Sequence, residues 1–254
     1  MKNASLSSRM KGYEDVSRIY LTKRSPVIIR IDGKAFHTFT QGFTRPFDRC
    51  LMRAMQQTAK YLCESITGCR LAYTQSDEIS LLLVDYDSPD TQPWFDNNLQ
   101  KLVSVSASMA TLAFNRSFCE QIETPDGEEL REIYRKAAAK GALFDARAFT
   151  LPKEEVLGYF IWRQQDATRN SILMVAQSLF SHKQLLGKKC DELQDMLFLE
   201  HGVNWNNYAP CEKRGICVIK ETYDKGGARR TRWIADENTP VFTQNPAYIE
   251  SLVF

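Results

Sequence analysis

The stretch Ile28-Ile29-Arg30-Ile31-Asp32-Gly33 decides the fold, because it places a carboxylate at the end of an apolar strand. Its β-branched residues predict a strand, and the alternation of side chains along a strand puts Arg30 and Asp32 on the same face. Gly33 follows at once and allows a sharp turn or the close approach of a ligand. A second carboxylate of this kind occurs further along the chain, in Gln75-Ser76-Asp77-Glu78.

These two carboxylates predict a metal site. Burying an unpaired charge costs several kcal/mol or more, and Asp32 and Asp77 on neighbouring strands would also repel each other. A divalent cation relieves both costs, and two carboxylates completed by water and phosphate oxygens suit Mg²⁺. Two such ions about 3.5–4 Å apart could activate an attacking oxygen and stabilise a leaving phosphate. The pair therefore predicts a nucleotide-transferring enzyme.

Glu78 follows Asp77 directly, and the sequence leaves its role open. It is a third metal ligand, a base behind the ligands, or a partner for Arg30.

Composition sets broad limits. The 254 residues, 43% hydrophobic and 25% charged, predict an ordinary soluble globular protein of one large or two small domains. No apolar run approaches the ~18–20 residues of a membrane span. The polar segment from Met1 to Arg18 lacks the apolar stretch of a secretory signal, which favours the cytoplasm. The net charge of +2 neither demands nor excludes a nucleic-acid ligand.

The seven cysteines give no sign of a disulfide framework or a zinc ribbon. Their number is odd, and no CxxC pair occurs in the chain.

The first 152 residues have the pattern of a ferredoxin-like palm. The predicted elements are a strand at 26–31, an amphipathic helix at 47–66, a hairpin at 71–84 that turns at 75–77, a long helix at 94–118 and a strand at 142–151. The polar segment from Thr124 to Gly141 is interpreted as an exposed excursion. This βαββαβ order predicts an α+β fold, an antiparallel sheet with helices on one face, in which Asp32 and Asp77 are neighbours.

The rest of the chain, 153–254, predicts helices and a hairpin that pack on the palm. A long helix spans 153–182, a shorter one spans 191–200, and a hairpin surrounds Asp224-Lys225-Gly226-Gly227. On the long helix, Trp162 is assigned to the core. Arg163 forms a surface pair with Asp166, or it binds nucleic acid or phosphate together with Arg169.

The turn Gly33-Lys34-Ala35-Phe36-His37 is a candidate phosphate site, because successive N–H groups after a strand can form a concave anion site. Lys34 would add charge, and Phe36 or His37 would add a stacking surface. The alternative is a simple turn with Phe36 in the core. Arg45, shortly before the first helix, is either a phosphate ligand or a solvated arginine.

Two basic segments flank the late hairpin, Lys213-Arg214-Gly215 and Arg229-Arg230-Thr231-Arg232-Trp233. Basic residues interleaved with an aromatic suit a phosphate backbone. They equally suit a solvated charged edge that blocks aggregation of the sheet.

Six blocks, taken in order, resemble the tRNA-His guanylyltransferase superfamily. They are Arg30-Ile31-Asp32-Gly33-Lys34-Ala35-Phe36-His37, Arg45-Pro46-Phe47-Asp48, Ala72-Tyr73-Thr74-Gln75-Ser76-Asp77-Glu78, Phe144-Asp145-Ala146-Arg147, Trp162-Arg163-Gln164-Gln165-Asp166 and Lys213-Arg214-Gly215. Each block alone is weak, but the ordered set is specific and extends from about residue 10 to 220.

The resemblance implies a polymerase-like palm that works in reverse. Such enzymes add nucleotides to the 5′ end of tRNA in the 3′→5′ direction. The 5′ end is activated by a nucleoside triphosphate or already carries a triphosphate, and the 3′-hydroxyl of the incoming nucleotide attacks it. GTP, ATP and other nucleoside triphosphates are the expected small ligands. Members are commonly tetramers, so residues 153–254 are expected to serve tRNA contacts and oligomerisation, with no membrane involved.

The resemblance also implies roles for particular residues. The catalytic set is Asp32, Asp77 and Glu78, and two Mg²⁺ are held by Asp32, the carbonyl of Gly33 and Asp77. The nucleotide is held by Asp32, Gly33, Lys34, Ala35, Phe36, His37, Arg45, Ser76 and Asp77. RNA or phosphate contacts are expected from Arg30, Arg163, Arg169, Asn170, Lys213 and Arg214.

One departure from the family pattern narrows the branch. Members specific for tRNA-His usually carry His-Ile-Asn-Asn-Leu-Tyr-Asn just after the Trp-Arg-Gln block, where this chain has Thr168-Arg169-Asn170-Ser171-Ile172-Leu173-Met174. Only Asn170 matches. The departure favours the bacterial or archaeal-like branch, which resembles template-dependent repair polymerases acting on 5′-truncated tRNA.

Two other functions fit parts of the pattern. A palm-type nucleotide cyclase would share Asp32, Asp77 and the phosphate turn. A non-catalytic RNA-binding module on a ferredoxin-like fold would present aromatic residues for base stacking, but here the strand ends carry Asp32 and Asp77 instead.

Overall fold

A six-stranded antiparallel sheet organises the protein in the computed structural model, which describes residues 5–254. The first four residues of the polar segment from Met1 to Arg18 lie outside the described residues. The strands are β1 (Val27–Gly33), β2 (Cys69–Gln75), β3 (Glu78–Leu83), β4 (Phe144–Thr150), β5 (Ile216–Lys225) and β6 (Ala228–Asp236). Their order across the sheet is β4-β1-β3-β2-β5-β6. The predicted α+β class is confirmed.

The helices in the described chain are α1 (Leu6–Asp15), α2 (Phe36–Phe39), α3 (Arg49–Ser65), α4 (Leu99–Cys119), α5 (Glu128–Lys140), α6 (Val156–Leu179), α7 (His182–Leu185), α8 (Cys190–His201), α9 (Pro210–Arg214) and α10 (Ala247–Glu250). Short 3₁₀ turns lie at Trp94–Asn97, Lys153–Glu155 and Trp205–Asn207. No helix within residues 5–254 is both long and apolar enough to cross a membrane.

The alternation of side chains along β1 divides the core into two layers. Ile29 and Ile31 face the layer that contains Phe114 of α4, while Ile28 faces the layer that contains Phe160 of α6. All five side chains are fully buried. Burying each contributes about 1.5–3 kcal/mol. The palm's own helices therefore cover one face, as predicted, and α6 from the C-terminal part covers the other.

The late hairpin extends the palm sheet. β5 pairs with β2 in an antiparallel register, with Ala72 opposite Val218. Strands from both parts of the chain, 1–152 and 153–254, therefore form one sheet. A functional division between 1–152 and 153–254 stays a prediction.

The interpretation of Thr124 to Gly141 as an exposed excursion is wrong. This segment contains α5, which buries Tyr134 and Ala137. Leu130 and Ile133 complete the apolar stripe that packs against the core. The helical spacing was present in the sequence, but the many charged residues on the outer face obscured it.

The assignment of Trp162 to the core is also wrong. Its side chain is 52% exposed, because the buried face of α6 is occupied by its neighbours Tyr159, Phe160 and Arg163. The long helix predicted from Trp94 begins at Leu99, where the side chain of Asn98 caps it by accepting a hydrogen bond from the N–H of Lys101 (3.0 Å).

Candidate active site

The structure brings Asp32 and Asp77 together at one edge of the sheet. Asp32 is the second-last residue of β1 and lies opposite Glu78, the first residue of β3. Asp77 lies in the two-residue turn that joins β2 to β3. The N–H of Gly33 donates to the backbone carbonyl of Asp77 over 3.1 Å, which ties the two strand ends to each other. Their adjacency, expected from the βαββαβ order, is confirmed, and their catalytic roles stay predictions.

The electrostatics of Asp77 favour a bound cation. Burial raises the pKa of the Asp77 carboxyl, and the negative charge of Asp32 raises it further, although a hydrogen bond from Ser76 Oγ (3.0 Å) acts in the opposite direction. Two carboxylates that repel each other in a partly buried site are stabilised by a positive charge between them.

The donor set fits Mg²⁺. Within residues 5–254 no cluster of three or more His, Cys, Asp or Glu side chains forms a metal site by itself. The protein therefore offers the carboxylates of Asp32 and Asp77 with the neighbouring carbonyl of Gly33. Mg²⁺ usually binds through one or two carboxylates and keeps its remaining positions for water and substrate phosphates.

Glu78 supports this site from behind. Its two carboxylate oxygens accept hydrogen bonds from Nε and an η nitrogen of Arg163 over 2.8 and 2.7 Å. Both side chains are buried. The suggested pairing of Glu78 with Arg30 is therefore wrong, and the geometry favours a supporting role over that of a metal ligand. The expected contact of Arg163 with nucleic acid or phosphate is also wrong, since its guanidinium is buried in this ion pair.

A cleft of about 540 Å³ opens directly beside the two aspartates. Its walls contain all but one of the predicted nucleotide-binding residues, namely Asp32, Gly33, Ala35, Phe36, His37, Arg45, Ser76 and Asp77. Lys34 is exposed and does not line the cleft; its N–H donates to the carbonyl of Leu143 (2.8 Å). Met174 and Gln177 of α6 also line the cleft and were not predicted from the sequence.

Among the residues that the structure describes, the turn after β1 contributes some with unpaired backbone N–H groups to the lining of this cleft. Ala35 adopts a left-handed conformation (φ +54°) and begins α2. In the described part of the chain the N–H groups of Ala35, Phe36 and His37 have no backbone acceptor, so they are free to bind an anion.

The ring of Phe36 is not available for stacking on a base. It lies in an aromatic cluster with Phe39, Phe114 and Phe144, at centroid distances of 5.2, 5.4 and 5.1 Å. A Cβ on Gly33 would lie 2.2 Å from this ring. Glycine is therefore required at this position, and only the backbone of Phe36 can face a ligand. The simple-turn alternative is thus correct for the Phe36 side chain.

Asp48 fixes the outer wall of the cleft. Its carboxylate caps α3 by accepting from the N–H of Leu51 (2.9 Å), and it also accepts from the N–H of Thr44 (3.0 Å) and from the hydroxyl of Tyr134. Arg45 lies within the loop held in this way and is exposed. A phosphate contact by Arg45 stays a prediction.

The remaining predicted RNA contacts are scattered. Arg169 and Asn170 both donate to Asp166 on α6. Lys213 and Arg214 donate to backbone carbonyls, Nζ of Lys213 over 2.7 Å and Nε of Arg214 over 3.3 Å. None of these four lines the main cleft, although Asn170 lines a smaller groove that adjoins it.

Arg30 and Arg147 form a basic pair beside Asp32. They lie opposite each other in the register of β1 and β4. An η nitrogen of Arg147 is 4.0 Å from Oδ2 of Asp32, and the guanidinium of Arg30 lies 5.8 Å from the ring centroid of Trp162. No role for Arg147 follows from the sequence, because the register that places it opposite Arg30 depends on the tertiary pairing of distant strands.

Comparisons with known proteins agree with this geometry. A family profile described as tRNAHis guanylyltransferase matches residues 7–152. The tRNA(His) guanylyltransferase of Debaryomyces hansenii is 30% identical over 218 residues, which cover 81% of this chain and 77% of that protein. A solved bacterial tRNA(His) guanylyltransferase-like protein in complex with ATP is 47% identical and covers 99% of this chain and 100% of its own, with a TM-score of 0.85. A bacterial protein of the same description in complex with GTP is 46% identical with the same coverage, and its TM-score is 0.82.

Proposed function

This chain belongs to the tRNA-His guanylyltransferase family, and we propose that it repairs 5′-truncated tRNA. It is a nucleotidyltransferase that extends the 5′ end of tRNA in the 3′→5′ direction in a template-dependent manner. The observation that carries the proposal is the position of Asp32 and Asp77, side by side at the mouth of a cleft that presents free N–H groups.

The incoming nucleoside triphosphate, GTP or ATP among others, binds in the cleft. The N–H groups of Ala35, Phe36 and His37 face its phosphates, and Arg45 adds a positive charge at the outer wall. Two Mg²⁺ would be held by Asp32, Asp77 and the carbonyl of Gly33. When bound, these ions would make the attacking hydroxyl more acidic and neutralise the charge of the leaving phosphate. Glu78 and Arg163 hold the turn that carries Asp77.

The reaction joins the 3′-oxygen of the incoming nucleotide to the phosphorus of the activated 5′ end. The hydroxyl releases its proton to solvent as the new P–O bond forms. The bond from that phosphorus to the leaving group breaks, releasing pyrophosphate from a triphosphorylated end or a nucleoside monophosphate from a nucleotidylated end. The basic pair Arg30 and Arg147 lies beside Asp32, where the negative charge of that leaving group develops.

The replaced His-Ile-Asn-Asn-Leu-Tyr-Asn block supports the repair assignment. In this chain the corresponding stretch lies on α6. There the side-chain amide of Asn170 donates to Asp166, and Ser171 accepts a hydrogen bond from Nε1 of Trp205 (2.9 Å). Met174 lines the cleft with an apolar side chain. The stretch therefore offers the cleft few of the polar groups that the tRNA-His-specific pattern would supply.

Incubation of the protein with 5′-truncated tRNA, Mg²⁺ and labelled GTP tests the proposal directly. We expect labelled nucleotide at the 5′ end, opposite cytosine of the complementary strand, and a weaker reaction with full-length tRNA-His that lacks only its extra guanosine. Asp77→Asn is the matched inactive control, because it keeps the shape of the side chain and removes its charge. Absence of 5′ addition by folded wild-type protein would contradict the proposal.

The two alternatives are less well supported. A nucleotide cyclase would convert GTP to a cyclic product without RNA. For this protein we expect no cyclic product when the same assay is run without tRNA. A non-catalytic RNA-binding module is inconsistent with membership of a family of nucleotidyltransferases.

We also propose a cytoplasmic homotetramer as the working form. In the described chain α1 buries none of its residues, and Leu6 and Tyr13 are 65% and 75% exposed. Exposed apolar side chains on one helix are typical of a surface that another chain covers. Light scattering coupled to gel filtration measures the oligomer directly.

A further inference from the structure

Trp162 is a large aromatic side chain at the surface, beside Arg30 of β1. It is 52% exposed, and its ring contacts the buried side of α6 through Tyr159 (centroids 5.9 Å apart) and through the guanidinium of Arg163 (4.4 Å). The guanidinium of Arg30 lies 5.8 Å from the ring centroid. The ring is therefore held from within, while about half of the side chain faces solvent.

Trp162 lies near β1 through its contact with Arg30, which comes before Asp32 in the strand. Arg30 precedes Asp32 by two residues on the same face of β1, a separation of about 7 Å. The cleft begins at Asp32 and continues in the other direction, through Gly33 to His37. Along β1, Arg30 with its neighbour Trp162 thus lies on one side of Asp32, and Gly33 with the phosphate turn lies on the other.

A 3′→5′ nucleotide addition needs two substrates at one pair of carboxylates. If the nucleoside triphosphate occupies the cleft, the 5′ end of the tRNA must approach from the remaining open side, where Arg30, Arg147 and Trp162 lie. Aromatic rings beside arginine are the usual means by which proteins hold an exposed base, because every base has a π-face that can stack.

We propose that Trp162 is the stacking platform for the terminal base pair of the tRNA acceptor stem, and that it positions the reacting 5′ phosphate at Asp32 and Asp77. This inference rests on the proposed function. Because Arg30 lies 5.8 Å from the ring centroid and two residues from Asp32, a base stacked on Trp162 would have its own 5′ phosphate near Arg30 and Asp32. Stacking tolerates any base, as an enzyme that repairs many different tRNAs requires.

A purely structural role for Trp162 would give a different result on substitution. Trp162 could instead only cover the buried ion pair of Arg163 and Glu78, and in that case any large apolar side chain would serve. Three variants separate the two roles: Trp162→Phe keeps a stacking ring, Trp162→Leu keeps apolar cover without a ring, and Trp162→Ala removes both. Phe198→Ala, an exposed aromatic on α8, is the matched surface control.

The measurements are the KM for 5′-truncated tRNA, the dissociation constant for GTP alone and the midpoint of urea unfolding. We expect Trp162→Leu and Trp162→Ala each to raise the KM for tRNA about tenfold or more. Trp162→Phe should raise it less, and Phe198→Ala should leave it unchanged. GTP binding should be the same in all four variants. The leucine and phenylalanine variants carry the test if the alanine variant fails to fold.

A second measurement reports the contact itself. The fluorescence of 2-aminopurine at the 5′-terminal position of the tRNA should be quenched on binding to wild type and not on binding to Trp162→Leu. A leucine variant with wild-type KM and wild-type quenching would overturn the inference while wild-type activity leaves the proposed function standing. An inactive wild-type protein would instead overturn the proposed function.

Discussion

Arg163 on α6 donates to both carboxylate oxygens of Glu78 on β3, at 2.8 and 2.7 Å, in the interior of the protein. The exposed fractions of the two side chains are only 6% and 9%. Because Glu78 directly follows Asp77, this ion pair fixes the turn that carries Asp77 to a helix from the C-terminal part of the chain. The position of Asp77 therefore depends on residues that lie far from it in sequence.

Removing the arginine should damage both stability and activity. Arg163→Ala leaves the buried carboxylate of Glu78 without its charged partner and with only the hydroxyl of Ser80 as a donor (3.3 Å). We expect the free energy of unfolding to fall by about 3–5 kcal/mol. Arg169→Ala is the control, since Arg169 bonds to Asp166 at the surface with a side chain 67% exposed; its loss should be below about 1 kcal/mol. Urea unfolding at neutral pH measures both, and equal losses would contradict the role given to the buried pair.

The raised pKa of Asp77 predicts a pH dependence of stability in metal-free protein. The folded state binds the proton of this carboxyl more tightly than the unfolded chain, for which the ordinary pKa is 3.8. Ionisation therefore destabilises the fold as the pH rises through the raised pKa, and the full cost is present above it. Asp77→Asn should be more stable than wild type at neutral pH with EDTA present. This difference should vanish as the pH falls below 3.8, while Asp195→Asn on the exposed face of α8 should show neither effect.

Magnesium should reverse the order of these two proteins. A ligand at a hundredfold excess over its dissociation constant stabilises the folded state by about 2.7 kcal/mol, and only wild type has both carboxylates to bind it. Thermal unfolding with increasing Mg²⁺ should raise the midpoint of wild type and leave that of Asp77→Asn nearly unchanged. Equal shifts in both proteins would mean that the ion binds elsewhere.

Asp48 should be among the most sensitive carboxylates outside the Asp32 and Asp77 pair. Asp48→Ala removes the cap of α3 and leaves the buried hydroxyl of Tyr134 without its acceptor, for an expected loss of about 2–4 kcal/mol in the free energy of unfolding. Asp48→Asn keeps a capping oxygen and should lose less. Combining Asp48→Ala with Tyr134→Phe should be less than additive, since both remove the same hydrogen bond. Strict additivity in urea unfolding would count against this coupling.

Gly33→Ala should distort the start of the phosphate turn. The new Cβ would lie 2.2 Å from the ring of Phe36, which is packed among other aromatic rings and cannot move freely. We expect a loss of about 1–3 kcal/mol in stability together with weaker GTP binding. Gly12→Ala is the control, because no atom lies within 4 Å of its added Cβ. A Gly33→Ala variant with the stability and GTP affinity of wild type would show that the ring adjusts.

The parts of the site predicted correctly are those determined by local pattern. The apolar strand before Asp32 and the turn at Ser76-Asp77 follow from side-chain alternation and turn chemistry. The βαββαβ order then placed the two strands next to each other. The aromatic cluster around Phe36 could not be foreseen, since its members come from three distant segments.

The errors share a physical cause, which is that polarity was used to infer exposure. α5 is rich in charge yet buries Tyr134, and Arg163 is charged yet lies in the interior because Glu78 pairs with it. Trp162 is apolar yet exposed, because its helix neighbours occupy the buried face. In each case tertiary partners decided the burial, and a single sequence does not reveal those partners.

The complete burial of β3, from Glu78 to Leu83 and between two other strands, has a consequence for how the enzyme fails. Amide hydrogens in such a central strand exchange only when the whole molecule opens. The turn that carries Asp77 is anchored to this slowest-exchanging unit, whereas the exposed loop around Arg45 is held by the hydrogen bond from the N–H of Thr44 to Asp48. Mild warming should therefore weaken nucleotide binding before it displaces the two aspartates. The affinity for GTP should decline first, and turnover should be lost only with global unfolding.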